Sequence, residues 1–413
     1  MNRIKIQNFG PIQAGYQENG GFMEVCKVTV FIGNQGSGKS TVAKVIATLS
    51  WIEKAMVKGV LSENELNSSP NHFVKQLSYQ RISSYLKDDT VIEYCGNAFL
   101  FIYENGHFTA KKTNKNGYLL PKIMYIPAER NFLSVVDRPD KLKNLPAALY
   151  TFNDEYDAAK RLYAKGIELP INNVHFEYDK LNQLAHIVSA KTRYKLRLSE
   201  ASSGFQSTVP LFLVTKYLSD SLQREQSQGI KENSLEEEKK LEKEIKSILM
   251  DTQITTEVRQ AYLRHLSAKR KPVCFLNIVE EPEQNLFPIS QKNILNELLK
   301  YANATDANML ILTTHSPYII NFLSIAIQGA YLKQKIDNSY GQKAFLEKIN
   351  AIIPLESVVK AADTVIYELD ENTGSIKKLE TYAGIPSDKN YLNNILHEGN
   401  LLFDSLLEIE ELL

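Results

Sequence analysis

A run of glycines around one lysine and two hydroxyls, Gly33-Asn34-Gln35-Gly36-Ser37-Gly38-Lys39-Ser40-Thr41, has the G-x-x-x-x-G-K-[ST] spacing of a phosphate-binding P-loop. The chemistry follows from the residue types. Glycines let successive backbone N–H groups curl towards one anion, and a helix that starts at the lysine adds its positive dipole end. Lys39 can reach the β- and γ-phosphates of a nucleoside triphosphate, and the Ser40 hydroxyl can hold Mg²⁺. Gly33, Asn34, Gly36, Ser37, Gly38 and Thr41 complete the cradle. ATP and Mg²⁺ are therefore the expected cofactors.

Three further stretches carry groups that such a site needs. Glu280-Glu281-Pro282-Glu283 ends the apolar run Pro272–Val279. A carboxylate at a strand end beside a P-loop holds Mg²⁺, the role expected of Glu280. A second acid next to it can orient or activate water, the role expected of Glu281. Leu312-Thr313-Thr314-His315-Ser316-Pro317 follows one strand and one helix later, and His315 is placed to hydrogen-bond the γ-phosphate or the attacking water. Finally, Ser203, Gly204 and Gln206 open an apolar helix. Small polar residues there make an anion site, although alone they say no more than a helix N-cap does.

The elements that position these groups are readable from periodicity. Val28–Ile32 is a β-branched run that predicts a buried strand, and Thr41–Ala47 begins a helix running towards Lys58. Strands are expected at Ile4–Phe9, Val91–Cys95, Phe99–Tyr103 and Lys122–Ile126, with a hairpin turn at Glu104-Asn105-Gly106. Residues 62–90 are polar and read as helical or irregular, and 140–195 read as mainly helical. Residues 218–270 read as a solvated, ion-paired helix with a dense stretch at 236–244. The strand ending at Val279, a helix over Gln291–Tyr301 and a strand over Asn308–Thr313 alternate as a parallel sheet requires. A small hairpin at 364–379 and a closing helix complete the chain. The division expected is 1–139 (first part of an ATPase head), 140–270 (helical lobe), 271–335 (second part of the core) and 336–413 (hairpin and helix).

Composition narrows the class. The 413 residues include 43% hydrophobic and 23% charged, ordinary for a globular chain, and the length predicts two lobes or domains. Lys+Arg and Asp+Glu both number 48, so total charge gives no argument for nucleic acid. Cys26, Cys95 and Cys274 form no C-x-x-C pair, and the N-terminus lacks the apolar core of a signal peptide. No run reaches membrane-spanning length, so a cytoplasmic protein away from membranes is expected.

The order of motifs resembles the ABC-type ATPase head, above all the standalone branch related to SMC, RecF and OLD-family proteins. Ser203-Gly204-Phe205-Gln206 stands where that class has the Ser-Gly-Gly-Gln core of its signature. Glu280-Glu281-Pro282-Glu283, Thr313–Pro317 and Tyr125-Ile126-Pro127-Ala128-Glu129-Arg130-Asn131 resemble segments of AAA15/AAA21-type bacterial ATPases. The resemblance implies an α/β P-loop NTPase fold with an ABC/SMC-like head, ATP hydrolysis, and a homodimer or higher oligomer whose ATP sites are shared between subunits. It also implies a separate effector such as a nuclease, as in anti-phage systems of the Septu or PARIS type. Two features depart from the pattern: Phe205 replaces the second signature glycine, and the Q-loop glutamine has two candidates, Gln76 and Gln80. No Asp-x-Asp follows residue 330, so a built-in Toprim nuclease is not expected. A RecF- or SMC-like DNA repair ATPase, with nucleic acid as partner, is the second reading, and a transporter energy subunit the third.

Overall fold

The apolar runs before the P-loop and before the paired acids fold as parallel strands of one sheet. A computed structural model describes residues 2–411, except 69, 114–116, 137–138, 140–143, 190, 192–193, 228–270 and 337–341. The chain opens with β1 (Asn2–Gln7), β2 (Gly15–Tyr16), β3 (Met23–Val25) and β4 (Val28–Gly33), and the P-loop leads into α1 (Lys39–Val57). After α2 (Glu63–Ser68) and α3 (Pro70–Tyr79) come β5 (Val91–Cys95), β6 (Phe99–Glu104), β7 (His107–Lys112) and β8 (Pro121–Ile126). Helices α4 (Phe132–Val135) and α5 (Ala147–Leu162) precede β9 (Ile167–Glu168), β10 (His175–Asp179), β11 (Leu184–Ser189), β12 (Tyr194–Arg197) and α6 (Ser203–Ser227). The remainder runs β13 (Cys274–Glu280), α7 (Pro288–Asn303), β14 (Met309–Thr314), α8 (Pro317–Ile336), α9 (Gln342–Ile352), β15 (Thr364–Leu369), β16 (Ser375–Lys378) and α10 (Tyr391–Glu411).

The central sheet has the order β2-β16-β15-β4-β14-β13-β8. From β15 to β8 every neighbour is parallel. Parallel strands are covered on both faces, which is why β4 and β13 are buried throughout and read as near-continuous apolar runs, interrupted by Thr29 and Asn277. Alternate residues nevertheless feed two cores. Val28, Val30 and Ile32 join Leu310, Leu312 and Val279 on the face of α5, α6 and α7. Phe31, Ile278 and Ile311 join α1 and an antiparallel sheet, β3-β1-β5-β6-β7, on the other face. Truncating a fully buried residue such as Ile278 to alanine costs about 2–5 kcal/mol.

The 364–378 hairpin forms, and β15 lies directly beside the P-loop strand, with Leu369 opposite Gly33. The Asn105-Gly106 turn also forms, both residues at positive φ, between β6 and β7.

One expectation is corrected. Residues 140–195 are not mainly helical: after α5 the chain makes a four-stranded antiparallel sheet, β12-β11-β10-β9. Its strands alternate, with Phe176 and Ile187 turned into the core and His175, Glu177 and Lys195 turned out. Asp179 closes the β10–β11 turn by accepting the N–H groups of Leu181 and Asn182. The dense charged stretch at 236–244 lies outside the described residues.

Candidate nucleotide site

The site lies at the carboxyl ends of the parallel strands, where open α/β sheets bind ligands. Pairing sets the depth of each group: Glu280 is opposite Thr313, and Thr313 is opposite Phe31, two residues before the P-loop's first glycine. Two P-loop glycines have no substitute. A Cβ on Gly33 would collide with the Leu369 carbonyl oxygen, and Gly38 caps α1 at φ +101° with Pro11 and Ile12 against it. Lys39 is buried and tucked into the loop, its Nζ donating to the carbonyl oxygens of Gly33 (3.0 Å) and Asn34 (2.6 Å) and to Ser37 Oγ (3.4 Å). Burial pulls its ammonium down to about 8, against the pull of Glu281, Glu283, Glu371 and Glu280. Ser40 and Thr41 occupy the first turn of α1.

The acids differ in environment. Glu280 is buried, and its Oε2 accepts the Ala128 N–H at 3.1 Å. Its Oε1 is buried and makes no well-aligned protein hydrogen bond; the buried Tyr125 hydroxyl lies close to this carboxylate, and burial first, then Glu280, push its titration upward. Such a carboxylate oxygen beside a P-loop fits a divalent cation: Glu280 and Ser40 would hold Mg²⁺. Glu281 adopts φ +43°, with its N–H bonded to the Thr313 carbonyl at 2.9 Å. That turn aims its carboxylate back at His315, 3.4 Å from Oε1 to Nε2. The His315 hydrogen bond holds Glu281 below the usual carboxylate range, so it is ionised.

Glu283 and Arg130 were not assigned roles from sequence, and both are central. Glu283 Oε1 accepts the Thr314 hydroxyl and the His315 N–H, each at 2.7 Å, which fixes the histidine backbone. Burial pushes Glu283 upward. Arg130 is fully buried. Nη1 donates to the carbonyls of Glu280 (2.7 Å) and Pro127 (3.2 Å), Nη2 to Glu281 (2.6 Å) and Nε to Ser207 (3.1 Å). One guanidinium thus joins the acid turn to α6. Burial lowers it to about 10, so it stays charged.

Ser203, Gly204 and Gln206 sit apart from this cluster, against the turn that follows the acids. A Cβ on Gly204 would press on the Asn285 carbonyl, and Asn285 Nδ2 donates to Ser207 Oγ at 3.2 Å. Gln206 Nε2 donates to the Leu198 and Ser199 carbonyls. Its hydrogen bonds therefore go to its own lobe. Pro210, inside α6, has no N–H and frees the Gln206 carbonyl, which the Ser134 hydroxyl takes at 2.7 Å. Ser203 is exposed at the helix start. Of the two glutamine candidates, Gln80 is buried with an unpaired Oε1 and Gln76 is half-buried on α3. Asn34 is tied elsewhere: its Nδ2 donates to Glu371, in the β15–β16 turn, at 2.7 Å.

The arrangement has the parts for holding a triphosphate, a cation and a directed water. No protein-family model and no curated protein sequence matches the chain. Two solved structures are similar in outline. The SMC head domain from Thermotoga maritima is 10% identical with a TM-score of 0.38, covering 92% of this chain and 98% of that one. An SmcHead bound to the C-winged helix domain of ScpA is 9% identical with the same TM-score and coverage. The strand order, the P-loop between β4 and α1, and the acids at the end of β13 define an α/β fold of the P-loop type. Among the described residues no helix is long and apolar enough to cross a membrane.

Proposed function

We propose that the chain binds and hydrolyses ATP with Mg²⁺ as an ABC-type ATPase. The carrying observation is the buried Glu280 Oε1, with no well-aligned protein hydrogen bond, beside a P-loop, and Glu281 and His315 paired next to it. Lys39 and the loop amides would bind the β- and γ-phosphates. Ser40 and Glu280 would hold the cation, which supplies charge neutralisation on the phosphates. Glu281, steadied by His315, orients the attacking water. Phosphate release from ATP, measured with wild type and Glu281→Gln, tests this. Turnover that survives unchanged in Glu281→Gln would place the water-directing group elsewhere.

The active unit in this reading is at least a homodimer. Ser203 is exposed at a helix N-terminus on the lobe and is free to meet the γ-phosphate held by a second copy's Lys39. The motif resemblance supports a finer role: a sensor or scaffold subunit of a bacterial anti-phage complex, whose ATP-driven closure controls a separate effector. Co-purification with the product of a neighbouring gene tests that role. Turnover stimulated by DNA, with no such partner, would favour the repair reading.

A further inference from the structure

The last helix, α10, has an apolar stripe with nothing against it among the described residues. From Glu398 to Glu411 every residue is exposed. Ile395, Leu402, Leu406 and Ile409 are 47, 69, 63 and 55% exposed, and Phe403 is 61%. With Gly399 they recur at alternating spacings of three and four residues, the seam of a helix that packs on another surface. Glu398 and Glu410 stand at opposite edges of that seam, and Asp404, Glu408 and Glu411 add to the charge. Residues 391–411 contain no Lys or Arg. The root is firm: Leu392 is buried, and the Tyr391 N–H donates to Glu368 Oε2 at 2.9 Å.

We infer that α10 is a docking helix for a partner protein that presents an apolar groove edged with Lys or Arg. Charge selects this occupant. A second copy of the same helix would crowd two sets of carboxylates together with no base on either. An anionic membrane would repel them, whereas helices that lie on membranes carry Lys and Arg on the polar face. A basic-edged groove buries the stripe and neutralises both edges. The docking claim stands apart from the nucleotide reading, but one consequence rests on that reading. The Tyr391 hydroxyl donates to Glu371 Oε1 at 3.4 Å, and the same oxygen accepts from Asn34 of the P-loop. A partner on α10 therefore bears on the phosphate loop through two side chains.

The test uses the full chain without nucleotide and two fluorescein-labelled amphipathic helical peptides. Both have Leu at the seam positions; one has Lys along its edges and the other Glu. Fluorescence anisotropy is expected to show micromolar binding of the Lys peptide, weakening with salt, and at least tenfold weaker binding of the Glu peptide. Leu402→Asp with Leu406→Asp should weaken the Lys peptide at least tenfold. Glu398→Lys with Glu410→Lys should reverse the preference, which general stickiness cannot do. All four positions are exposed, so the fold should hold, as circular dichroism would verify. Equal affinity for both peptides overturns the proposal. So does a concentration-dependent dimer that Leu402→Asp abolishes, which assigns the stripe to a second copy. Co-sedimentation with phosphatidylcholine vesicles, lost in the same variant, assigns it to membrane and also overturns it. Peptide affinity is read without ATP and ATP affinity without peptide, so the two readings fail separately.

Discussion

Arg130→Lys keeps the positive charge and removes the fork. The guanidinium serves four carbonyl oxygens from three nitrogens, two of them in the acid turn and one on α6. A lysine ammonium is a single point with three donors and cannot span acceptors placed around a planar fork. If it keeps the Glu280 and Pro127 carbonyls, those of Glu281 and Ser207 lose the guanidinium, and the Glu281 carbonyl keeps only the Gln284 N–H at 3.1 Å. What is lost is two hydrogen bonds to a charged group, about 1.5–3 kcal/mol each, so the pair costs about 3–6 kcal/mol. For a chain of this size that lowers Tm by roughly 3–7 °C. The functional effect is separable. Glu281 is held at positive φ between Arg130 on its carbonyl and Thr313 on its N–H. Without the first tether its carboxylate drifts from His315, and misplacement by about 1 Å costs on the order of 10²-fold in rate. Lys39 shares no hydrogen bond with Arg130, so the ATP Kd should change by no more than roughly threefold. Calorimetric ATP titration and phosphate-release kinetics, both run well below Tm, separate these effects. Full turnover per folded molecule, with only Tm lowered, would refute the positioning role. So would a loss of ATP affinity as large as the loss of kcat.

Three further outcomes are expected. Burial holds the free Lys39 near 8, below its ordinary value, so above pH 8 the unliganded protein sheds the proton that the phosphates need. ATP affinity should fall as pH rises, by about tenfold between pH 7 and 9, and calorimetry should record proton uptake on binding near pH 8.5. Glu283→Gln keeps an acceptor for Thr314 and His315 and should retain most turnover, whereas Glu283→Ala frees the His315 backbone and should lose about 10-fold or more in kcat; equal rates in both would remove Glu283 from the positioning set. Mixing Lys39→Ala with Ser203→Asp subunits should restore part of the ATPase activity, because one composite site per mixed dimer escapes both lesions. No recovery despite proven subunit exchange would mean that the sites are not shared.

The parts legible in sequence were those whose signal is local. β4 and β13 are near-continuous apolar runs because both faces of a parallel sheet are covered, and the P-loop and acids follow them directly. The sheet at 167–197 was hidden because its strands are short and half polar; single inward residues such as Phe176 and Ile187 fit a helical face as well as a strand. Arg130 could not be placed because three of its four partners lie 77 to 151 residues away and all are backbone carbonyls, which have no sequence identity. The Pro in Tyr125–Asn131 marked the end of β8, but nothing local says that the next cation turns inward. Glu371 is a similar case: its link to Asn34, 337 residues away, exists only because β15 pairs with the P-loop strand.

The central claim is that Lys39 and its loop hold a nucleoside triphosphate, and calorimetric titration of Mg-ATP into wild type and Lys39→Ala tests it most directly. Lys39→Ala removes the buried ammonium and leaves β4 and α1 packed, so its circular dichroism spectrum should match wild type. The account predicts saturable binding of one ATP per chain in wild type and no measurable heat of binding in the folded variant. Binding of equal affinity in both, or none in wild type, would contradict it.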